Sequence, residues 1–189
     1  MERDQQTALI LDLIDNLLSK GSWCGETHIQ KAAFFLQKLL GVPTDYEFIL
    51  YRHGPFSFDL RDEITDFRAL GLLKLQPMPM PYGPTLRETE NATELIRRFP
   101  VTVGRFRDRI ELVAECLGNK RVAELERLAT ALYVTLDAKS APTEDRAAKI
   151  GEIKPRVPYD LALAAVREVD SIVKASEKIA ALSQLQGTI

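Results

Sequence analysis

An α+β fold dominated by helix is what this sequence predicts, and three observations carry the prediction. Apolar residues recur at three- and four-residue spacing over most of the chain, while only a few short stretches before residue 90 are β-branched or aromatic. The composition is ordinary for a globular domain, with 46% hydrophobic and 28% charged residues. After Asn91 the pattern becomes helical only, which separates strands from late helices as α+β folds do.

The elements follow in order. Ile10, Leu13, Ile14, Leu17 and Leu18 make one stripe of a first helix over residues 4–20, closed by Gly21. Thr27-His28-Ile29-Gln30 has the form of a capping box, and the stripe Ile29, Ala32, Phe35, Leu36, Leu39, Leu40 carries a second helix from 28 to Gly41. Tyr46 to Tyr51 reads as a short strand that His53-Gly54-Pro55 breaks. Ser57 or Asp59 caps a third helix with the stripe Leu60, Ile64, Phe67, Leu70, and Gly71 sits where a left-handed C-cap is usual. Leu72–Leu75 and Thr85–Glu88 predict two strands around a Pro/Met-rich loop that cannot itself pair as a ladder.

This order, two helices, a strand, a helix and a terminal hairpin, is that of a winged helix-turn-helix, although other small α+β arrangements share it. The expected division is therefore a winged-helix-like unit over residues 1–90, with a helical region over 91–189 packed on it in one compact domain. In the second part, Val103, Phe106, Ile110, Val113, Leu117 and then Val122, Leu125, Leu128, Leu132, Leu136 predict a helical hairpin about Gly118-Asn119. A short helix over 144–153 and a long one over 159–185 complete the chain, joined by the connector Lys154-Pro155-Arg156-Val157-Pro158.

Twenty-five basic and 27 acidic side chains give a net charge of −2, so no global field draws the chain to nucleic acid or an anionic membrane. Two cysteines far apart, Cys24 and Cys116, suit a reducing compartment. Asp12 and Asp15 interrupt the N-terminal apolar stretch, unlike the apolar core of a signal peptide, and the expected location is the cytoplasm. No apolar run is long enough for a bilayer, so no membrane partner is expected.

The segment HIQKAAFFLQKLLG followed by YEFILYRHGPFSFDLRDEITDFRALGLL resembles the bacterial YwgA-like proteins and, more distantly, the SocA-like Panacea antitoxin domain. The matching residues are Gln30 and Lys31, Tyr51, Gly54, Pro55, Phe56, Leu60, Leu70 and Gly71, with Ile153-Lys154-Pro155 and the helix after Pro158 similar to the family's C-terminal part. In the turn, His53 and Phe56-Ser57 stand where Panacea domains more usually carry Tyr-Gly-Pro-Val. The shared motifs concern packing and turns. The resemblance implies a winged-helix-like bacterial protein with relatives that neutralise toxins or serve as adaptors.

The presumed reading helix carries Asp59, Asp62, Glu63 and Asp66 against Arg61 and Arg68. Residues 1–90 hold nine basic and thirteen acidic side chains, a balance of −4, which repels the phosphate backbone. These acids are either a solvated face or a surface that recognises another protein. Met78, Met80 and Tyr82 on the proline-stiffened loop offer adaptable apolar contact to a partner, or fold back onto core. Arg97, Arg98, Arg105, Arg107 and Arg109 form the one basic concentration; they bind nucleic acid, pair internally, or face solvent.

Cys24-x3-His28, with His53, is the only grouping with metal-ligand or nucleophile chemistry, and hydrogen-bonded histidines explain it without a metal. The sequence has no Gly-rich phosphate loop, HExxH, CxxC pair or Gly-x-Ser-x-Gly. No catalytic residues, cofactor or metal are expected. The expected function is that of a non-enzymatic interaction module, antitoxin-like or adaptor, binding another protein such as an adjacent gene's product. The alternative is a winged-helix DNA-binding regulator, which the acidic helix disfavours.

Overall fold

A computed structural model describes residues 1–79, 83–138 and 141–186. It has the α+β, mostly helical class that the sequence predicts, with eight helices and two two-stranded sheets among the described residues. Two compact units divide the chain: Met1–Ile49 with Phe56–Lys120, and Leu50–Pro55 with Arg121–Ile189. The change of composition at Asn91 marks the end of the strands. The first unit continues through two further helices, because their apolar faces cover its central helix.

In the first unit, α1 (Arg3–Ser19) and α2 (Glu26–Lys38) are the innermost elements. Leu9, Ile10, Leu11, Leu13 and Ile14 of α1 are all fully buried, a wider apolar face than one stripe. The reason is that α2, α4 (Glu90–Arg98), α5 (Pro100–Leu117) and a strand all pack on α1, and a helix apolar on most sides is a core helix. The α5 stripe Val103, Phe106, Ile110, Val113, Leu117 is buried throughout, as the sequence predicts.

The capping box at Thr27 does not form. Gly25 is the N-cap of α2, placing Thr27 inside the first turn. Gln30, with no exposed surface, instead receives the Ser57 amide on its Oε1 at 2.9 Å and donates from Nε2 to the Ser57 carbonyl at 2.8 Å. Ser57 in turn caps α3 (Phe58–Ala69), its hydroxyl accepting from the Leu60 amide.

Leu60, Ile64 and Phe67 of α3 are buried, whereas Leu70, the last member of the predicted stripe, is 68% exposed. Leu70 is the C-cap and still helical in conformation, but ten residues after Leu60 it has rotated about 80° around the helix and off the buried face, before Gly71 turns the chain at φ +69°. β3 (Leu73–Gln76) and β4 (Thr85–Glu88) then pair antiparallel with Leu73 opposite Glu88 and Gln76 opposite Thr85.

The predicted strand at 46–51 is shorter than the sequence suggests. Only Ile49–Tyr51 (β1) is strand, and it pairs with Gly54–Phe56 (β2), so the Arg52-His53 turn makes a hairpin separate from β3–β4. Tyr46 leaves the ladder because Gln37 takes both its backbone groups: Nε2 donates to the Tyr46 carbonyl at 2.9 Å, and Oε1 accepts its amide at 2.8 Å.

In the second unit, α6 (Val122–Asp137), α7 (Thr143–Ile153) and α8 (Tyr159–Gln186) pack on one another. Leu125, Leu128 and Leu132 are buried, but Val122 at the helix start is exposed. Arg146 of α7 clamps Asp170 of α8 with two hydrogen bonds of 2.7 and 2.9 Å and also reaches Thr135 of α6. α5 and α6, which the sequence reads as one helical hairpin, belong to different units.

Candidate functional site

Asp59, Asp62 and Asp66 lie at i, i+3 and i+7 on α3, and all three are exposed. The Leu60-Ile64-Phe67 stripe faces inward, which leaves these carboxylates to line the opposite face. Asp62 is held by its neighbour Arg61 at 2.7 Å, and Asp66 by Nη2 of Arg3 at 3.0 Å. Such exposed pairs contribute little to stability.

Behind them sits a buried carboxylate. Glu63 accepts a hydrogen bond from the Tyr46 hydroxyl, and Nε of Arg3 lies 3.9 Å from it. Burial pushes the Glu63 carboxyl up, against the opposing pull of Tyr46 and Arg3. Burial, followed by the Glu63 charge, pushes the Tyr46 hydroxyl upward as well. Arg3 therefore joins the buried Tyr46–Glu63 pair to the exposed Asp66.

Beside this face is a groove of about 410 Å³, lined by the apolar Phe67, Leu70, Leu72 and Leu95 together with the charged Asp4, Asp66 and Arg3. It collects residues from α1, α3, α4 and Leu72, which precedes β3. The sequence singles out Asp66 but not the groove, since Leu70 reads there as a member of the α3 stripe and Leu95, far from it in the chain, belongs to no recognisable motif.

Met78 is half-buried and follows β3. Met80 and Tyr82 lie outside the described residues. At the start of the return strand, the Trp23 indole donates to the carbonyl of Gly83, two residues before β4, at 3.1 Å, and Thr85 of β4 donates its hydroxyl to the Trp23 carbonyl, which ties the hairpin to the segment between α1 and α2.

The five arginines are spread over two helices. Arg97 and Arg98 occupy the last turn of α4, where cations suit the helix dipole. Arg105 and Arg109 stack their guanidinium groups near the Phe106 ring, at 5.5 and 5.4 Å, and Arg109 also donates to the Leu40 carbonyl at 3.0 Å. Arg107 acts elsewhere, as a positive charge on Asp12 of α1.

Asp12 belongs to an acidic group with Asp15, Glu88 and Glu111. Burial, then Asp15, raises the Asp12 carboxyl to about 6, and burial, then Asp15 and Asp12, raises Glu88 to about 8.

Cys24 and His28 are buried in the first unit. Burial pushes the Cys24 thiol up to about 12, so it stays protonated at neutral pH. Burial lowers His28, whose Nε2 lies 3.2 Å from the Lys120 carbonyl. His53 is in the second unit, in the hairpin turn, with Nδ1 2.9 Å from Oε1 of Glu126. Lys154, lowered by burial against the opposing charge of Glu126, stands close to Gly54. No local pattern signals this grouping, because His53, Glu126 and Lys154 are brought together only by the fold.

Among the described residues, no three His, Cys, Asp or Glu side chains converge with metal-binding geometry. No helix among them is long and apolar enough to cross a membrane. No protein-family model, curated protein or solved structure matches the chain.

Proposed function

We propose that the chain is a non-enzymatic protein-interaction module, an antitoxin-like or adaptor protein of a bacterial stress or phage-defence locus, acting in the cytoplasm. The reading takes α1, α2, α3 and the β3–β4 hairpin as a winged-helix-like head, and follows the resemblance to YwgA-like and Panacea proteins. The observation that carries it is the exposed acidic face of α3 at Asp59, Asp62 and Asp66 beside an apolar groove. A head that reads DNA places basic and polar side chains on this helix, to offset phosphate charge and reach base edges. An acidic face with an adjoining apolar floor suits a basic protein surface instead.

The spread of the arginines supports the same reading. Duplex binding draws its affinity from several simultaneous phosphate contacts. Here Arg109 is engaged with Leu40 and Phe106, and the five arginines are divided between α4 and α5.

The test is co-expression with the product of the adjacent gene, followed by pull-down and calorimetric titration. A complex that weakens when Asp59, Asp62 and Asp66 are changed together to Lys, with the loss reduced at high salt, is the expected result. Nanomolar, sequence-specific binding to duplex DNA at moderate salt overturns the proposal.

A further inference from the structure

The groove beside α3 has features that identify the chemistry of its occupant. Its volume of about 410 Å³ falls in the range of roughly 300–1,000 Å³ typical of ligand sites, large enough for several aliphatic side chains. Leu70 is 68% exposed, although its stripe partners Leu60, Ile64 and Phe67 are buried. Ten residues after Leu60, Leu70 lies about 80° around the helix from it, off the buried face and in the groove lining with Leu72 and Leu95.

The charged residues of the groove lining are predominantly acidic. Among the described lining residues, Asp4 and Asp66 are met by one cation, Arg3, and Asp62, paired with its exposed neighbour Arg61 at 2.7 Å, stands one helical turn before Asp66 at the edge of the groove. Arg3 is itself exposed, with 72% of its side chain accessible, and neutralises Asp66 through a contact of 3.0 Å. A ligand that brings its own cation competes with Arg3 for Asp66.

We infer that this groove binds a basic amphipathic segment of a partner protein, with leucine-type side chains seated against Leu70, Leu72 and Leu95 and arginine or lysine paired with Asp62 and Asp66. Apolar anchors at helical spacing in a hydrophobic groove are an established recognition mode, and the charge pattern selects the basic version. The inference rests on the interaction-module reading and names the chemistry of the partner at that surface.

The probe is a synthetic four-turn amphipathic peptide with leucines on one face and arginines flanking it, titrated by fluorescence anisotropy against the full chain. Two control peptides replace the arginines with glutamates or the leucines with serines. The arginine–leucine peptide binds and both controls fail. Leu70→Ser weakens binding by about tenfold with little salt dependence. Asp62→Lys with Asp66→Lys weakens it by a similar factor that shrinks at high salt. Arg3→Ala strengthens it by about two- to fivefold, because an exposed competing pair is removed. All three variants change exposed side chains, and melting curves matching the parent confirm their folding.

The inference is overturned if the peptide does not bind, if the glutamate peptide binds equally, or if Leu70→Ser leaves its affinity unchanged. A concentration-dependent dimer that Leu70→Ser abolishes also overturns it, by showing a second copy in the groove. If the adjacent gene's product binds parent and Leu70→Ser alike, the groove assignment falls while the interaction-module reading stands. If the peptide binds as described and that product does not bind at all, the groove assignment stands and the locus reading falls.

Discussion

The Gln30 side chain satisfies both backbone groups of Ser57, accepting from its amide at 2.9 Å and donating to its carbonyl at 2.8 Å. A side-chain amide thus stands in for a strand neighbour at the residue that caps α3. Ser57 is fully buried, and its carbonyl also accepts from Arg61 N–H at 3.2 Å. Gln30→Leu therefore leaves the Ser57 amide as the orphaned group. The expected cost is about 1–3 kcal/mol, read as a lower urea midpoint with an unchanged slope. An unchanged midpoint would mean that water replaces Gln30 without penalty.

Phe67 is 2% exposed and is the largest side chain on the buried face of α3. Phe67→Ala loses both transfer energy and packed volume, and it should destabilise the first unit by about 3–5 kcal/mol. Chemical denaturation followed by far-UV circular dichroism measures this. A midpoint equal to the parent's would place the ring at the surface.

These two residues also show what was legible in the sequence. Phe67 was readable because the stripe Leu60-Ile64-Phe67 repeats at helical spacing, and burial follows from that period alone. Gln30 was readable as a polar residue with a structural task, but its partner was not. The pattern Thr-x-x-Gln points to a local capping box, whereas in the fold Gln30 serves Ser57, a partner 27 residues away that no local pattern encodes. Leu70 shows the opposite limit: its three-residue step from Phe67 continues the stripe in sequence, but ten residues from Leu60 the helical phase has drifted by about 80° and the side chain faces outward. The acidic face of α3 was visible residue by residue. The groove beside it was not, because Asp4, Leu70 and Leu95 meet only in three dimensions.

Glu88 makes stability depend on pH. Burial, then Asp15 and Asp12, raises its carboxyl from the ordinary value near 4.5 to about 8, and its Oε1 is buried without a hydrogen-bond partner. Because the folded value lies above the unfolded one, folding favours the protonated form. The associated stability is fully present below about pH 4.5 and is lost as pH rises through about 8. Asp12, raised to about 6, acts in the same direction over a lower window. Glu88→Gln keeps the shape and cannot ionise, so the variant should melt higher than the parent at pH 8 and show a flatter dependence of Tm between pH 5 and 8. Parallel Tm curves for the two proteins would mean that Glu88 ionises freely in the folded state.

Gly54, the first residue of β2 after the hairpin turn, sets a steric limit inside the second unit. Gly54 has φ +89°, and a Cβ added there would stand 2.9 Å from Oγ1 of Thr130 and 3.4 Å from the Glu126 carbonyl oxygen. The Thr130 hydroxyl is not free to swing away, since it donates to that same carbonyl at 2.7 Å. Two costs therefore combine in Gly54→Ala. The left-handed backbone alone costs roughly 1–2 kcal/mol for a residue with a Cβ, and the collision adds to it. Gly71→Ala is the control, because φ is +69° there and the nearest atom to a new Cβ is the Asn91 Nδ2 at an ordinary 3.6 Å. Gly54→Ala should thus lower Tm more than Gly71→Ala does. Thr130→Ala removes the closer obstacle but leaves the backbone strain and the Glu126 carbonyl in place, so the double variant Gly54→Ala/Thr130→Ala should be more stable than the sum of the single effects predicts. The coupling between two residues in contact is of the order of 0.5–3 kcal/mol, and thermal unfolding of the four proteins in the cycle measures it. Strict additivity, or equal losses for Gly54→Ala and Gly71→Ala, would show that the turn yields to the added methyl instead of pressing it against α6.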